Sequence, residues 1–435
     1  ELFYGGNKKF ETSPSGVDVT GPLNVSGIST FGNAVSGTTG TFSSDSTINS
    51  VTVGKGANSI GSNTVVGNSA LDAAGGTGAN NVAVGYLALS TEDTNGHNVA
   101  VGRKALQTQN AGADAYNVAV GSNAGQSVTT GTANTIIGGL AGDALTTGIH
   151  NTVVGYGALT NEDEHGRNVA IGYAALLGNT TQDDNTAVGR VALEQNQGTS
   201  NTAVGSNALT VNTTGVNNTA IGKDAGSSHT TGGYNTSVGK AALISATTGN
   251  NNCALGEAAG ADITTGGNNI CIGQDSGRSA SPGGAIITSS NQICLGNNNH
   301  TYFGCKISLS VTSDERDKTD IKDFTHGLSW IKKLRPVTYH WDQRSDYSDD
   351  LSVVPDGTHK KSKLNIGLIA QEELEVEKEH GYGDDKDSML ITDLSEDGNH
   401  FSMKYERLVP VLVIAVKELS AENTALKARL DAAGL

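Results

Sequence analysis

The chain has 435 residues, enough for two or three domains, yet it is only 36% hydrophobic and 5% aromatic, so small residues must pack whatever cores it builds. Its formal net charge of −16 argues against nucleic acid and anionic membrane as partners, because phosphate contacts need clustered Lys and Arg. Four cysteines, Cys253, Cys271, Cys294 and Cys305, show no CxxC spacing and read as buried thiols, and the longest apolar run, 408–416, is too short for membrane insertion. No signal peptide is recognisable, and a start at Glu1 without Met predicts a further part upstream.

From the amino end, "GVDVTGPLNVSGISTFGN" at 16–33 alternates apolar and polar residues between glycines. It predicts short strands broken by tight turns over 1–50, similar to the shaft repeats of viral fibres. A repeat then takes over and fills 51–305. The pentads "NTVVG", "NVAVG", "NTIIG", "NTAVG" and "NICIG" share one template, and their closing glycines run from Gly67 to Gly273 at spacings of 16 to 19 residues, mostly 17. Asn stands four positions before every one of them, and a degenerate copy, "QICLG", ends at Gly296.

Each pentad reads as a short strand with β-branched residues on one face and Ala on the other, closed by a glycine-dependent bend. A unit of this size cannot bury its own apolar face, so successive coils must stack about 4.8 Å apart into a rod on the order of 60 Å long. The recurring Asn is expected to form a hydrogen-bonded ladder along it. Both strand faces, Val188 among them, are expected to be buried, with a second surface covering the Ala side; self-association into a trimer is the simplest source of that surface. The "NTAVG.NAL" copies resemble the head repeats of trimeric autotransporter adhesins, which implies a left-handed β-roll in a parallel trimer. Coils two or three residues longer than usual in that family set this chain apart, and similar repeats occur in phage tail fibres.

Composition changes abruptly at "VTSDERDKTDI". Of 72 charged residues, 42 lie from Ser313 onward, whereas 51 of the 58 glycines lie before it. A second domain is therefore expected over 306–435. "HGLSWIKKLRPVTYHW" predicts a helix stopped before Pro336 and then a strand; "NIGLIAQEELEVEKEHG" predicts a strand and a helix closed by Gly381. Val409, Leu412, Val416, Leu419, Asn423, Leu426, Leu430 and Ala433 fall on alternating steps of three and four, a coiled-coil seam over 408–433 with Asn423 placed to fix register.

In order, "SDERDK", "LRPVTYHW", "IGLIAQE" and "YERLVPVLVIAVKEL" closely resemble the intramolecular chaperone domain of phage tail fibres and tailspikes, peptidase family S74. The resemblance implies a domain that trimerises the protein ahead of it and then cuts itself off before the Ser of a Ser-Asp-x-x-x-Lys motif. Here that motif is Ser313, Asp314 and Lys318, and the scissile bond is Thr312–Ser313. A Ser hydroxyl needs a base, and a Lys serves as one only when burial or positive neighbours lower its pKa. The same hexapeptide also makes a good helix start, with Ser at the N-cap and acids in the first turn.

The expected fold class is thus mainly β: a homotrimeric β-roll or β-solenoid with a short fibre shaft and a C-terminal α+β chaperone ending in a coiled-coil helix. The expected function is a phage tail fibre that recognises a host cell-surface receptor, a glycan among the candidates. It would be made in the host cytoplasm, incorporated in the virion tail, and joined to other tail proteins through its upstream part. The alternatives are a bacterial trimeric adhesin and a glycan-depolymerising tailspike. A depolymerase needs paired carboxylates at a cleft. Glu92, Asp93, Glu162, Asp163, Glu164 and Glu194, with His97, His150, His165 and His229, read instead as solvated turn residues without ligand spacing. Both tryptophans, Trp330 and Trp341, fall in the C-terminal domain, which leaves the repeats without a tryptophan platform for sugars. No cofactor and no metal is expected, and at most a single-turnover self-cleaving Ser-Lys peptidase.

Overall fold

The computed structural model describes residues 2–4, 7–13, 16–19, 45–56, 60–73, 76–94, 96–279, 281–304, 306, 310–348 and 351–434. The chain divides into two units, 1–44 and 45–435. In the first, β1 (Leu2–Tyr4), β2 (Asn7–Ser13) and β3 (Gly16–Val19) form an antiparallel sheet in chain order. Most of the shaft-like stretch, 20–33, lies outside the described residues.

The second unit is dominated by one sixteen-stranded sheet in strict chain order. It opens antiparallel, β4 (Ser46–Ile48) against β5 (Val51–Gly54) and β5 against β6 (Thr64–Gly67), and from β7 (Val82–Val84) to β19 (Ile293–Leu295) every strand is parallel to the one before. The register never slips. Thr186, Ala187 and Val188 face Thr202, Ala203 and Val204, and so on from coil to coil. This is a β-solenoid with one three-residue strand per coil of about 17 residues.

Strand orientation reverses the sequence expectation. The central residue of these strands, most often Ala (Ala83, Ala100, Ala119, Ala170, Ala187, Ala203, Ala220) and in two coils Ile136 and Val153, is fully buried, and the aliphatic residues beside it point outward, half-exposed. Val188 is therefore on the outer face. The reason is the thinness of the coil. Opposite the strand lie a second Ala column and a Leu column, including Leu176, Leu193 and Leu209, which in most coils leave room for little more than a methyl group; the larger Ile136 is accommodated where Gly125 and Gly142 replace Leu. Those three leucines adopt φ near +50°, a left-handed conformation unusual for Leu, so bending is not left to the glycines alone.

The Asn column is a ladder, though built chiefly onto the backbone, with an amide-to-amide bond from Asn235 Nδ2 to Asn218 Oδ1 at 3.2 Å. The Oδ1 of Asn201 accepts the N–H of Asn218 at 2.9 Å, and its Nδ2 donates to the carbonyl of Gly215 at 2.9 Å. Asn134, Asn151, Asn218, Asn235 and Asn252 repeat the scheme, so each buried amide links its own coil to the next. Backbone groups that would otherwise be orphaned in a dry interior are satisfied.

Beyond the solenoid, α1 (Leu328–Ile331), the pair β20 (Val337–Tyr339) and β21 (Asn365–Gly367), α2 (Ala370–Glu379), the hairpin β22 (Thr392–Leu394) and β23 (Phe401–Met403), and α3 (Leu408–Ala432) form a small α/β region. Its core is Trp330 with Val376, Ile391 and Val411. Gly381, with φ +86°, follows α2 as the sequence predicts, and Pro410 sits in the first turn of α3, where its missing N–H costs no intrahelical bond.

Candidate functional site

The motif "SDERDK" folds as one 3-10 turn, Glu315–Asp317. Asp314, and not Ser313, is its N-cap: Asp314 Oδ1 accepts the Arg316 N–H at 2.9 Å, and the Arg316 guanidinium grips the same carboxylate at 2.6 and 3.0 Å. That guanidinium, aided by the N–H, holds Asp314 below the usual carboxylate range. Ser313 is thereby freed from capping. The chain turns so that Lys318 Nζ donates to Ser313 Oγ at 2.6 Å, with the Ser313 carbonyl at 3.3 Å. The two residues that the motif singles out are in direct contact. Thr312, Ser313 and Lys318 are all exposed in the single chain.

The domain that follows this segment is held by glutamates, two of them, Glu373 and Glu377, fully buried. Trp330 Nε1 donates to Glu373 Oε1 at 2.8 Å, and His380 stacks on the indole with ring centroids 4.8 Å apart. Burial, opposed by the Trp330 bond and aided by the nearby Glu377, pushes Glu373 up to about 7. Glu377 accepts N–H groups from Leu390, Ile391 and Thr392 at 2.9, 2.7 and 2.7 Å, stapling α2 to β22. Glu418 on α3 accepts the Leu328 N–H at 2.6 Å and so fixes α3 on the start of α1. In sequence these glutamates look like solvated helix positions. The available signal is that Leu374 and Val376 alone give α2 too small an apolar face, so Glu373 and Glu377 must complete it.

A groove of about 480 Å³ runs beside this core, lined by Ile331, Leu334, Pro336, Ile366, Leu408 and Leu412 among others. Ile366 is 77% exposed and the seam residues Val409, Val416, Leu419 and Leu426 also lie open, so the apolar stripe of α3 faces outward along most of its length.

The repeat acids and histidines need correction. Glu92, Glu162 and His229 are buried, because they occupy one interior column of the solenoid that other coils fill with Gln109, Asn179, Asn196 and Asn212. Glu162 takes the His165 N–H at 2.9 Å and a bond from Asn179, and burial raises its pKa. Burial likewise lowers the pKa of His229. Glu162, Asp163 and His165 place one ligand atom each within 4.8 Å of one another, but both Glu162 oxygens already serve structural bonds. Asp93 and Glu194 are half-exposed, and Asp163, Glu164, His97 and His150 are on the surface. Of the thiols, Cys271 is buried and pushed up to about 12, chiefly by burial, and Cys294 is buried beside it; Cys253 is half-exposed on the outer strand face, and Cys305 lies outside the described residues. Tyr156 and Tyr173, both exposed, stack with centroids 6.0 Å apart, an aromatic pair that tryptophan positions alone do not reveal. No helix among the described residues is long and apolar enough to cross a membrane.

These features define a β-solenoid followed by a small α/β domain with its own core and a terminal helix. Residues 313–382 match the Peptidase_S74 family, the chaperone of endosialidase, so the chain carries a domain of that kind, and the match opens at Ser313. No curated protein and no solved structure matched the chain.

Proposed function

We propose that this chain is a homotrimeric phage tail fibre whose solenoid engages a host cell-surface receptor. Its C-terminal domain drives trimerisation and then severs itself between Thr312 and Ser313. The observation that carries this reading is the chaperone-of-endosialidase match directly behind a solenoid, opening at a Ser whose hydroxyl receives a Lys amine at 2.6 Å. Trimerisation is supported by the apolar surface one chain leaves uncovered: the outer strand face with Ile137, Ile221, Leu255 and Ile272, the groove beside Trp330, and the α3 seam. A neighbouring copy over the exposed 312–318 segment would enclose the Ser313–Lys318 contact. The exposed Tyr156–Tyr173 pair supports a glycan receptor, since sugar rings lie well on aromatic faces.

The reaction uses no cofactor. Neutral Lys318 takes the proton of Ser313 Oγ, and Oγ attacks the Thr312 carbonyl carbon. The C–N bond breaks with the proton passing to the Ser313 nitrogen, and water hydrolyses the resulting ester. Intact mass and amino-terminal analysis of the expressed chain test this. Wild type should divide at Thr312–Ser313, Ser313→Ala should stay whole, and Lys318→Ala should cut about a hundredfold to ten-thousandfold more slowly. A new amino terminus elsewhere, or efficient cutting in Ser313→Ala, overturns the assignment. Light scattering that finds a stable monomer overturns the trimer.

A further inference from the structure

A solenoid that stops leaves N–H groups with no next coil to receive them. Within the rod the receivers are backbone carbonyls. Thr213, Thr214 and Gly215 aim their N–H groups at the Thr230 carbonyl oxygen at 2.8, 3.0 and 3.3 Å, and the Thr213 hydroxyl joins them at 2.8 Å. One coil on, Thr230, Thr231 and Gly232 converge on the Thr247 carbonyl at 3.0, 3.3 and 3.3 Å, again with a threonine hydroxyl at 3.2 Å. The Thr264 N–H donates to the Ile287 carbonyl at 2.8 Å, which makes Ile287, Thr288 and Ser289 the corresponding triplet of the last coil.

No further strand of the sheet follows that coil among the described residues. Its triplet converges instead on one carboxylate from the C-terminal domain. Glu396 Oε2 accepts the N–H groups of Ile287 and Ser289 at 2.9 and 3.0 Å; the Thr288 N–H lies 2.8 Å from Oε1 and 3.1 Å from Oε2, and the Thr288 hydroxyl also donates to Oε1. Glu396 sits in the turn between β22 and β23. That turn is braced by Ser395 N–H to the His400 carbonyl at 2.9 Å and by Asn399 N–H to Asp397 at 3.0 Å. It lies hard against the coil: a Cβ on Gly284 would fall 2.8 Å from the Ser395 Cβ.

We propose that Glu396 is a surrogate rung, through which the C-terminal domain docks on the open edge of the solenoid and stands in for the carbonyl of a next coil. The interaction surface is the terminal coil at 284–289, and the partner it fits is a carboxylate or carbonyl oxygen presented by the 395–400 turn. Desolvation works to raise the Glu396 pKa, but the converging hydroxyl and N–H bonds outweigh it and hold the group at about 2. The rung also blunts an edge that would otherwise pair with other chains. This goes beyond self-cleavage and holds whether or not the Thr312–Ser313 bond is cut.

Amide hydrogen exchange tests it on the full chain carrying Ser313→Ala, with intact mass verifying that both regions are present, so that a failure of the cleavage reading is seen separately. Adding Glu396→Ala should speed exchange at 287–289 by about tenfold or more and leave 213–232 unchanged. Glu396→Gln keeps one acceptor oxygen, in the place of Oε2, for the Ile287 and Ser289 N–H groups but sets an NH2 donor against the Thr288 N–H, so residues 287 and 289 should exchange more slowly than in Glu396→Ala. If Glu396→Ala is insoluble, Glu396→Asp, one methylene too short to reach, should behave as Ala is expected to. Unchanged exchange in the Ala or Asp variant overturns the proposal, as does a Gln variant that exchanges as fast as Ala at residues 287 and 289.

Discussion

Gly205→Ala tests the stacking of the coils directly. Gly205 has φ +140°, and an added Cβ would lie 2.4 Å from the Gly222 carbonyl oxygen, 2.6 Å from its carbon and 3.1 Å from the Lys223 nitrogen. Non-bonded carbon atoms settle near about 3.5 Å, so the overlap is on the order of 1 Å, and it is with backbone. The coils cannot part freely. Gly222 N–H bonds the Val204 carbonyl at 2.8 Å and Gly205 N–H bonds that of Val188 at 2.8 Å. Losing both contributes about 1 kcal/mol each, and an Ala held at this φ adds about 1–3 kcal/mol of strain, for a total of roughly 3–5 kcal/mol. Gly112→Ala is the control: Gly112 has φ +73° and open space within 4 Å, which leaves a cost of about 1–2 kcal/mol. Thermal and urea melts, with hydrogen exchange over 186–222 to catch local opening, measure the difference. If Gly205→Ala is no worse than Gly112→Ala, the glycine column is not held by backbone contact and the reasoning fails.

The reversed strand faces predict that Ala187→Asp, buried between Ala170 and Ala203, costs several kcal/mol and abolishes soluble rod. Val188→Asp, on the outer face, should leave the circular dichroism of the solenoid intact and show its effect as a lower mass by light scattering; Asp163→Asn should be silent in both. Glu373 gives a pH test. Its folded pKa, about 7, lies above the ordinary carboxylate value, so its contribution is fully present below about pH 4 and is lost as pH rises through 7. Glu373→Gln can keep the Trp330 bond and should flatten that loss, stabilising the domain by roughly 2–3 kcal/mol at pH 8. A urea series from pH 4 to pH 8 that shows the same slope in both proteins would contradict the assignment.

The sequence alone determined the solenoid. A 17-residue period with Asn four positions before each Gly admits few structures other than stacked coils, because every copy must meet its neighbours in the same register. The end of the repeat, the α/β elements after it and the Ser313–Lys318 pairing were legible for a similar reason: each depends on contacts between residues close in the chain. Which face of the strand is inside was not legible. Val-Ala-Val alternates equally well in either orientation, and only the width of the closed coil, set by the Ala and Leu columns across it, sends the methyl group inward. Buried acids escaped for the same cause, since Glu162, Glu373 and Glu377 resemble solvated residues until long-range folding brings Asn179, Trp330 or the Leu390–Thr392 backbone against them. Glu396 is the extreme case. It meets Thr288 across 108 positions of chain, a contact that no local pattern encodes and that the end of the solenoid makes necessary.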